Sequence, residues 1–501
     1  MNTTKLLSYV FLKRIKEIEK YNTEAEHIQR YVLYKLIDAA KDTLYGIKYN
    51  FNNCSSYEKF AQNVPLNTYE ELKPYITQMM NGEKNILWNT DIEWFAKSSG
   101  TTNDKSKFIP VSNEALEECH YQGGKDAVAL YLEMNPDSRF LSGKGLILGG
   151  SYQENPHQTD IRFGDLSAVL IQNVSFLINL IRVPNKEVAL MSEWESKLEA
   201  LAKTTVNENI TNISGVPSWF LTLIKKILAK EGKTNLLEVW PNLEVFFHGG
   251  ISFEPYREQY KELIPSDNMH YVETYNASEG FFGVQNSFDE HSMLLMIDLG
   301  IFFEFIPMDK FEDEKPPVYP LWEVETGVNY AMVISTNSGL WRYIIGDTVK
   351  FTSKDPYKFV ITGRTKHYIN AFGEELMVSN ADKGIYNTCK KTGAIVSEYT
   401  AAPTFMEGNK KAHHTWIIEF AKEPDSIDEF ADILDKELQN LNSDYEAKRY
   451  KGLFLSRLEI IKARPNLFHD WLKEKGKLGG QHKVPRLSNN RQFLEQLLQM
   501  M

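Results

Sequence analysis

The sequence predicts an α/β protein with a large N-terminal domain and a small C-terminal one. Three observations predict it. The chain has 501 residues, more than one hydrophobic core usually serves. Its middle alternates short apolar runs, glycine turns and helical patterns. After a glycine- and charge-rich junction at 359–377, "FVITGRTKHYINAFGEELM", a second and shorter set of strand and helix patterns begins.

Residues 1–90 read as mostly helical, because "HIQRYVLYKLIDAAKDTLYGIKY" repeats apolar residues at helical spacing. From about residue 92 the texture changes. "KGLILGG", 144–150, predicts a buried strand ending in glycines. "LSAVLIQNVSFLINLIRVP", 166–184, is the longest apolar stretch; Gln172, Asn173 and Asn179 interrupt it and Pro184 stops it, so a buried helix is expected rather than a membrane span. "LEVFFHGGISFEPYREQYKEL" predicts a strand, a glycine turn and a helix, and "MHYVETYNASEG" a strand running into a polar turn. The runs "SMLLMIDLGIFFEFIPM", "NYAMVISTNSG" and "TVKFTS" predict further strands, as an antiparallel sheet or β-barrel-like part beside the α/β sheet. Beyond the junction, "HHTWIIEF" reads as a strand. "DSIDEFADILDKELQNL" reads as a helix capped by Asp425 or Ser426, with Glu429 completing a capping box. The expected division is a large domain over 1–365 and a small α+β domain over 366–501.

Composition narrows the function classes. The net charge of −11 gives no global reason to bind nucleic acid or an anionic membrane. The three cysteines, Cys54, Cys119 and Cys389, are far apart and lack zinc spacing, which predicts reduced thiols and a cytoplasmic protein. The N-terminal stretch carries charges too early for a signal peptide. His413 and His414 are adjacent but have no third ligand at metal spacing, and no GxSxG elbow is present.

Four segments carry chemistry-bearing residues. "KSSGTTNDKSKFIPVS", 97–112, offers the hydroxyls of Ser98, Ser99, Thr101 and Thr102, with Gly100 to let a phosphate approach backbone amides and Lys107 to neutralise it. It lacks the P-loop Gly-Lys-Ser/Thr, and alone it reads equally as a solvated loop. "ETYNASEG", 273–280, brings Tyr275 to stack on a base, Ser278 to bond phosphate and Glu279 to hold Mg²⁺, or is a plain strand-end turn. "GLWRYIIGDTVKF", 339–351, offers Asp347 to both ribose hydroxyls, with Gly346 keeping the approach open and Arg364 about one hairpin away; a β-turn aspartate is the bland alternative. "GGQHKVPR", 479–486, puts Lys483 on a glycine-hinged stretch where it can meet a developing pyrophosphate, or is a solvated basic loop.

In that order the four segments resemble the adenylate-forming superfamily, and more closely the auxin-responsive promoter family of acyl-acid amido synthetases. "SSGTTNDKSKFIP" is similar to the family's first motif, "YNASEG" to its second and "LWRYIIGDTV" to its third; "GVPSWF" and "QHKVPR" also look like family segments. The likeness runs from about residue 94 to 486. Three positions depart from the pattern: Asp104 where a glycine is common, Ile344 where an arginine is usual, and His482 where an aromatic is frequent.

The resemblance implies a large domain with ATP and acyl-acid sites and a small domain that swings on a hinge near 363–377. It implies ATP and Mg²⁺ as cofactors, and a small carboxylic acid and an amino acid as partners. Ser98, Ser99, Gly100, Thr101, Thr102 and Lys107 would wrap the phosphates. Tyr275 would lie against the adenine, Asp347 would hold the ribose with Arg364 assisting, Asn276 and Ser278 would belong to the same ATP site, Glu279 would bind Mg²⁺, and Lys483 and Lys383 would act from the small domain. The acyl-acid pocket is expected near His120, Tyr121, Lys125 and Gly250. An acyl-CoA ligase and a non-catalytic acyl-acid sensor remain as alternatives.

Overall fold

The computed structural model describes residues 3–98, 107–155, 158–250, 253, 256–311, 313–365, 368–374, 376–406, 411–450, 454–474 and 486–501. The chain divides into two compact units, the first ending at Thr365 and the second following it.

The first unit opens with the helices expected over 1–90: Thr3–Glu19, Ala25–Ala40, Leu44–Lys48, Tyr57–Asn63 and Tyr69–Met80. In Ala25–Ala40 the buried residues Val32, Leu33, Leu36, Ile37 and Ala40 fall on one face, as the spacing requires. These helices pack on a twelve-stranded sheet. Five of its strands run parallel: Arg182–Val183, Lys144–Ile147, Ile210–Gly215, Val245–His248 and His270–Ala277. The antiparallel strands expected after residue 290 are hydrogen-bonded directly onto this set. Gly280–Gln285, Met293–Leu295, Tyr357–Arg364, Tyr343–Lys354, Asn329–Thr336, Ile301–Pro307 and Tyr319–Pro320 follow one another across the sheet. Every residue of Ile301–Pro307 is buried, which explains its apolar run on both sides of Glu304.

One strand, His270–Ala277, is the seam. It runs parallel to Val245–His248 on one side and antiparallel to Gly280–Gln285 on the other. In open α/β sheets, ligands bind outside the carboxyl ends of parallel strands where the topology changes. The carboxyl end of the seam strand is the "YNASEG" turn. A separate four-stranded sheet joins Lys107–Val111, Trp94–Ser98, Gln158–Gly164 and Tyr152–Asn155.

The single buried helix expected over 166–184 is corrected. The segment forms two short helices, Leu166–Asn173 and Phe176–Leu180, then the strand Arg182–Val183. The polar interruptions decide it. The Asn173 amide donates back to the Val169 carbonyl at 2.8 Å, and Val174 and Ser175 are extended. Phe176, Leu180 and Ile181 are exposed, so the second helix does not serve the core.

The second unit is α+β. Strands Ile395–Thr404, His413–Lys422 and Glu459–Lys462 form its sheet, with helices that include Val378–Thr392 and Ile427–Leu441. Ser426 caps the latter, its hydroxyl accepting from the Glu429 amide at 3.2 Å. Trp416, Tyr399, Leu434 and Leu438 lie in its core. Among the described residues no helix is long and apolar enough to cross a membrane.

Candidate functional site

Two hairpins of the first unit build the site. The first pairs Tyr343–Lys354 with Tyr357–Arg364, and their register sets Asp347 opposite Arg364. Arg364 Nε lies 2.6 Å from Asp347 Oδ1. The other carboxylate oxygen, Oδ2, accepts from the Tyr275 hydroxyl. Gly346, just before Asp347, has φ +96, a backbone that favours glycine. The Tyr275 ring, expected to lie against adenine, is 8% exposed and packs edge-on against Phe282, with centroids 4.8 Å apart. Burial, and then the Asp347 charge, push its hydroxyl well above the ordinary range, so it stays a protonated donor to Asp347.

The second hairpin joins His270–Ala277 to Gly280–Gln285 through a two-residue turn, Ser278 and Glu279, both half-buried. Burial raises the Glu279 carboxyl above its usual range, and the nearby Lys107 charge opposes that rise. Asp347 adds to the rise and Arg364 counters it, so the two hairpins share one electrostatic neighbourhood. Lys107 is buried, opens the strand Lys107–Val111 and donates to the Tyr343 hydroxyl at 3.2 Å. Its ammonium sits 5.8 Å from the ring centroids of both Tyr69 and Tyr343. Ser98 ends the neighbouring strand as the register partner of Lys107. Ser99, Gly100, Thr101, Thr102 and the divergent Asp104 lie outside the described residues, as does Lys483.

Sequence reasoning passed over Arg342, next to Tyr343 in the third motif. It has φ +41 and is buried. Its guanidinium donates to both carboxylate oxygens of the buried Glu304, at 3.0 and 2.9 Å, and to the carbonyls of Ala61 and Val64 at 2.9 and 2.8 Å. The Tyr57 hydroxyl donates to the same carboxylate at 3.0 Å. Arg342 thus locks the backbone that delivers Tyr343 to Lys107. The local signal was an arginine inside an otherwise buried aromatic motif; its partner, 38 residues earlier, left no mark on the pattern.

The segment expected to line the acyl-acid pocket starts as a π-helical stretch, Ala115–Tyr121, and continues as the α-helix Gln122–Met134. Such π segments are rare and concentrate at functional sites. His120 Nδ1 lies 2.8 Å from Asn276 Oδ1, which links this helix to the second motif. Burial pushes the His120 imidazole down to about 4, against the hydrogen bond it donates to Asn276, so it is neutral at pH 7. The contact is close: a Cβ on Gly123 would sit 2.4 Å from the Phe281 ring. The Tyr121 hydroxyl donates to the Leu170 carbonyl at 2.8 Å. Gly250 has φ +81 and lies past the strand Val245–His248. Lys125 is exposed beside Gly124, while Gly123, Asp126 and Ala127 of the same helix are buried.

In the second unit Lys383 is exposed on Val378–Thr392, its ammonium 5.3 Å from the Tyr386 ring centroid. His413 pairs with Glu459 at 3.0 Å and His414 with the buried Glu374 at 2.8 Å.

Profiles of the GH3 family N-terminal, central and C-terminal domains match residues 14–269, 294–364 and 379–492. The indole-3-acetic acid-amido synthetase GH3.3 of Arabidopsis thaliana is 23% identical over 95% of this chain and 91% of its own length. The 4-substituted benzoates-glutamate ligase GH3.12 of the same plant is 22% identical over 96% and 93%. The solved structure of AtGH3.15 acyl acid amido synthetase in complex with 2,4-DB superposes with a TM-score of 0.63 at 19% identity, covering 100% of this chain and 96% of that one. A 2-hydroxyisobutyryl-CoA ligase superposes with a TM-score of 0.57 at 14% identity over 97% and 93%. The fold is that of adenylate-forming enzymes, the likeness drawn from the motifs is borne out, and the chain belongs to the GH3 family.

Proposed function

We propose that the protein is an ATP-dependent acyl-acid amido synthetase. The observation that carries this reading is the pair of hairpins that gathers Lys107, Glu279, Asp347 and Arg364 at the seam of the sheet. A carboxylate is a poor acyl donor because oxide leaves badly. Its attack on the α-phosphate of ATP gives an acyl-adenylate and pyrophosphate; an amino acid's amine then attacks the acyl carbonyl and AMP departs. The first step concentrates negative charge, so fixed donors and cations lower its barrier.

In this reading Asp347 accepts from the ribose hydroxyls, with Arg364 and Tyr275 fixing its rotamer. Lys107 and the hydroxyls of residues 98–102 face the phosphates. Glu279 suits Mg²⁺: a carboxylate whose ionisation burial resists gains most from a dication, and magnesium takes one or two carboxylates together with phosphate and water. When bound, the ion neutralises phosphate charge. Lys483 and Lys383 supply positive charge from the small domain, which turns on a hinge near 363–377 between the two steps. Excluding water protects the adenylate during the second. A cytoplasmic location suits the ATP requirement.

The test is acid-dependent pyrophosphate release from ATP and Mg²⁺ over a broad panel of carboxylic acids, followed by amino acids or coenzyme A and mass analysis of the product. An amide is expected. A thioester alone would instead make the protein an acyl-CoA ligase, and no release with any acid would make it a sensor. Glu279→Ala and Asp347→Ala are each expected to cut release at least 100-fold, an order-of-magnitude figure for removing a transition-state contact; near-normal release in either variant removes that residue from the site.

A further inference from the structure

Lys197 is 3% exposed, and no carboxylate among the described residues lies within ion-pair distance of it. Its helix, Trp194–Thr205, stands between the parallel strands Arg182–Val183 and Ile210–Gly215 in the chain. Its ammonium donates to the Gly149 carbonyl and, at 3.3 Å, to the Gly150 carbonyl. Residues 148–151 are a short covalent bridge between the two sheets of the first unit. They join strand Lys144–Ile147 of the twelve-stranded sheet to Tyr152–Asn155 of the four-stranded one. The start of helix Leu166–Asn173 holds the amides of the same bridge. Ser167 Oγ accepts from the Gly150 amide at 2.9 Å, and Asp165 Oδ2 from the Ser151 amide at 2.9 Å. The Asp165 amide returns a bond to the Ser151 carbonyl at 3.0 Å. The approach is close: a Cβ on Gly150 would sit 1.9 Å from Asp165 Oδ2.

Burial lowers the Lys197 ammonium to about 8, and the Asp165 charge opposes that fall. Burying an ammonium against neutral carbonyls is a costly way to satisfy them. What it supplies is a fixed point, because one nitrogen with three donors holds two successive carbonyls at once. The bridge leads into strand Tyr152–Asn155, which pairs with Gln158–Gly164, which pairs in turn with Trp94–Ser98. Ser98 ends that last strand, and Lys107 is its register partner. We propose that Lys197 is a positioning residue that fixes the bridge between the two sheets, and so sets Ser98 and Lys107 against the hairpin that carries Glu279. The tie rests on the geometry alone; its catalytic consequence rests on the function proposed above.

Lys197→Met in the full-length protein keeps the apolar stem, removes the donors and is read in two ways. The first is amide hydrogen exchange. Exchange at Gly150 and Ser151 is expected to speed by roughly tenfold, while the core strand Asn329–Thr336 exchanges as in wild type. Bridge amides that exchange as in wild type, or that speed only in step with that core strand, overturn the tie. The second is acid-dependent pyrophosphate release. Here kcat is expected to fall roughly tenfold with KM for ATP and acid little changed, as misplacement of a charge by about 1 Å would do. In a Lys107→Ala background Lys197→Met should add little, because residues that act through one another are not additive. A full multiplicative loss in that background, or wild-type kcat in the single variant, overturns the positioning role. Ser167→Ala removes the acceptor of the Gly150 amide, and it takes the place of Lys197→Met in both measurements, with the same expected directions, if that variant does not fold. Should wild type release no pyrophosphate with any acid, the proposed function fails, and exchange at the bridge still decides the tie.

Discussion

Tyr275→Phe separates two roles for one tyrosine. A ring that stacks on adenine would survive the change, because phenylalanine keeps the ring and loses only the hydroxyl. In the structure the hydroxyl is the working part: it donates to Asp347 Oδ2, while Arg364 Nε stands 2.6 Å from Oδ1. A hydrogen bond to a charged group is worth about 1.5–3 kcal/mol. Arg364 still holds one oxygen, so the lower part of that range applies, a loss of roughly 10- to 40-fold in kcat/KM for ATP. Unfolding free energy should fall by about 1–2 kcal/mol, since a buried acceptor loses a donor. Pyrophosphate release at varied ATP measures the first and urea unfolding the second, with Tyr275→Leu as the comparison that removes both ring and hydroxyl. If Tyr275→Phe keeps kcat/KM within about threefold of wild type while Tyr275→Leu loses far more, the ring is the functional part and the reasoning fails.

Arg342→Met leaves Glu304 buried without its partner and should destabilise the first unit by about 3–5 kcal/mol, read by urea unfolding. Adding Glu304→Met should recover most of that, because the stranded charge is then gone. Gly346→Ala meets no clash, its added Cβ in ordinary contact with Arg364 Nη1 at 3.7 Å, so its cost is the backbone at φ +96. About 1–2 kcal/mol of stability and a rise in KM for ATP are expected, by calorimetry and kinetics. His120 adds a pH dependence. Its folded value of about 4 lies below the ordinary 6.5, so the unfolded chain binds more protons between those limits and stability falls as pH drops through them. Between pH 7 and pH 5 this one group removes about 2 kcal/mol, and His120→Gln should flatten the slope by that amount in urea titrations at the two pH values.

What could be read from the chain and what could not divide along sequence distance. The strand ending in Ser278 and Glu279 was legible because a strand and its turn are neighbours, and composition marks where one becomes the other. Arg364 was legible as a partner for Asp347 for a similar reason: a hairpin folds its two arms into register, and the pair proves to be directly opposed. The ends of the phosphate segment, Ser98 and Lys107, are register partners by the same logic. The bond from Tyr275 to Asp347 was not legible because it depends on a strand 72 residues later. A tyrosine on a strand shows an aromatic residue to the reader, and only the sheet order tells whether the ring or the hydroxyl is the useful end. Arg342 was passed over for the same cause, and the break in 166–184 because apolar count outweighed three polar residues. The sheet also explains why these long-range bonds fall where they do. Asp347 and Glu279 sit on separate hairpins, and nothing local fixes the distance between two hairpins. Tyr275 comes from the seam strand and reaches Asp347; Lys107 comes from the smaller sheet and reaches Tyr343. Each bond spans the gap between pieces that local sequence specifies well. Residues of this kind, buried and hydrogen-bonded across elements, set the spacing of a candidate site whose motif residues lie in turns. Motif likeness names those residues, and the spacing has to come from the packed sheet.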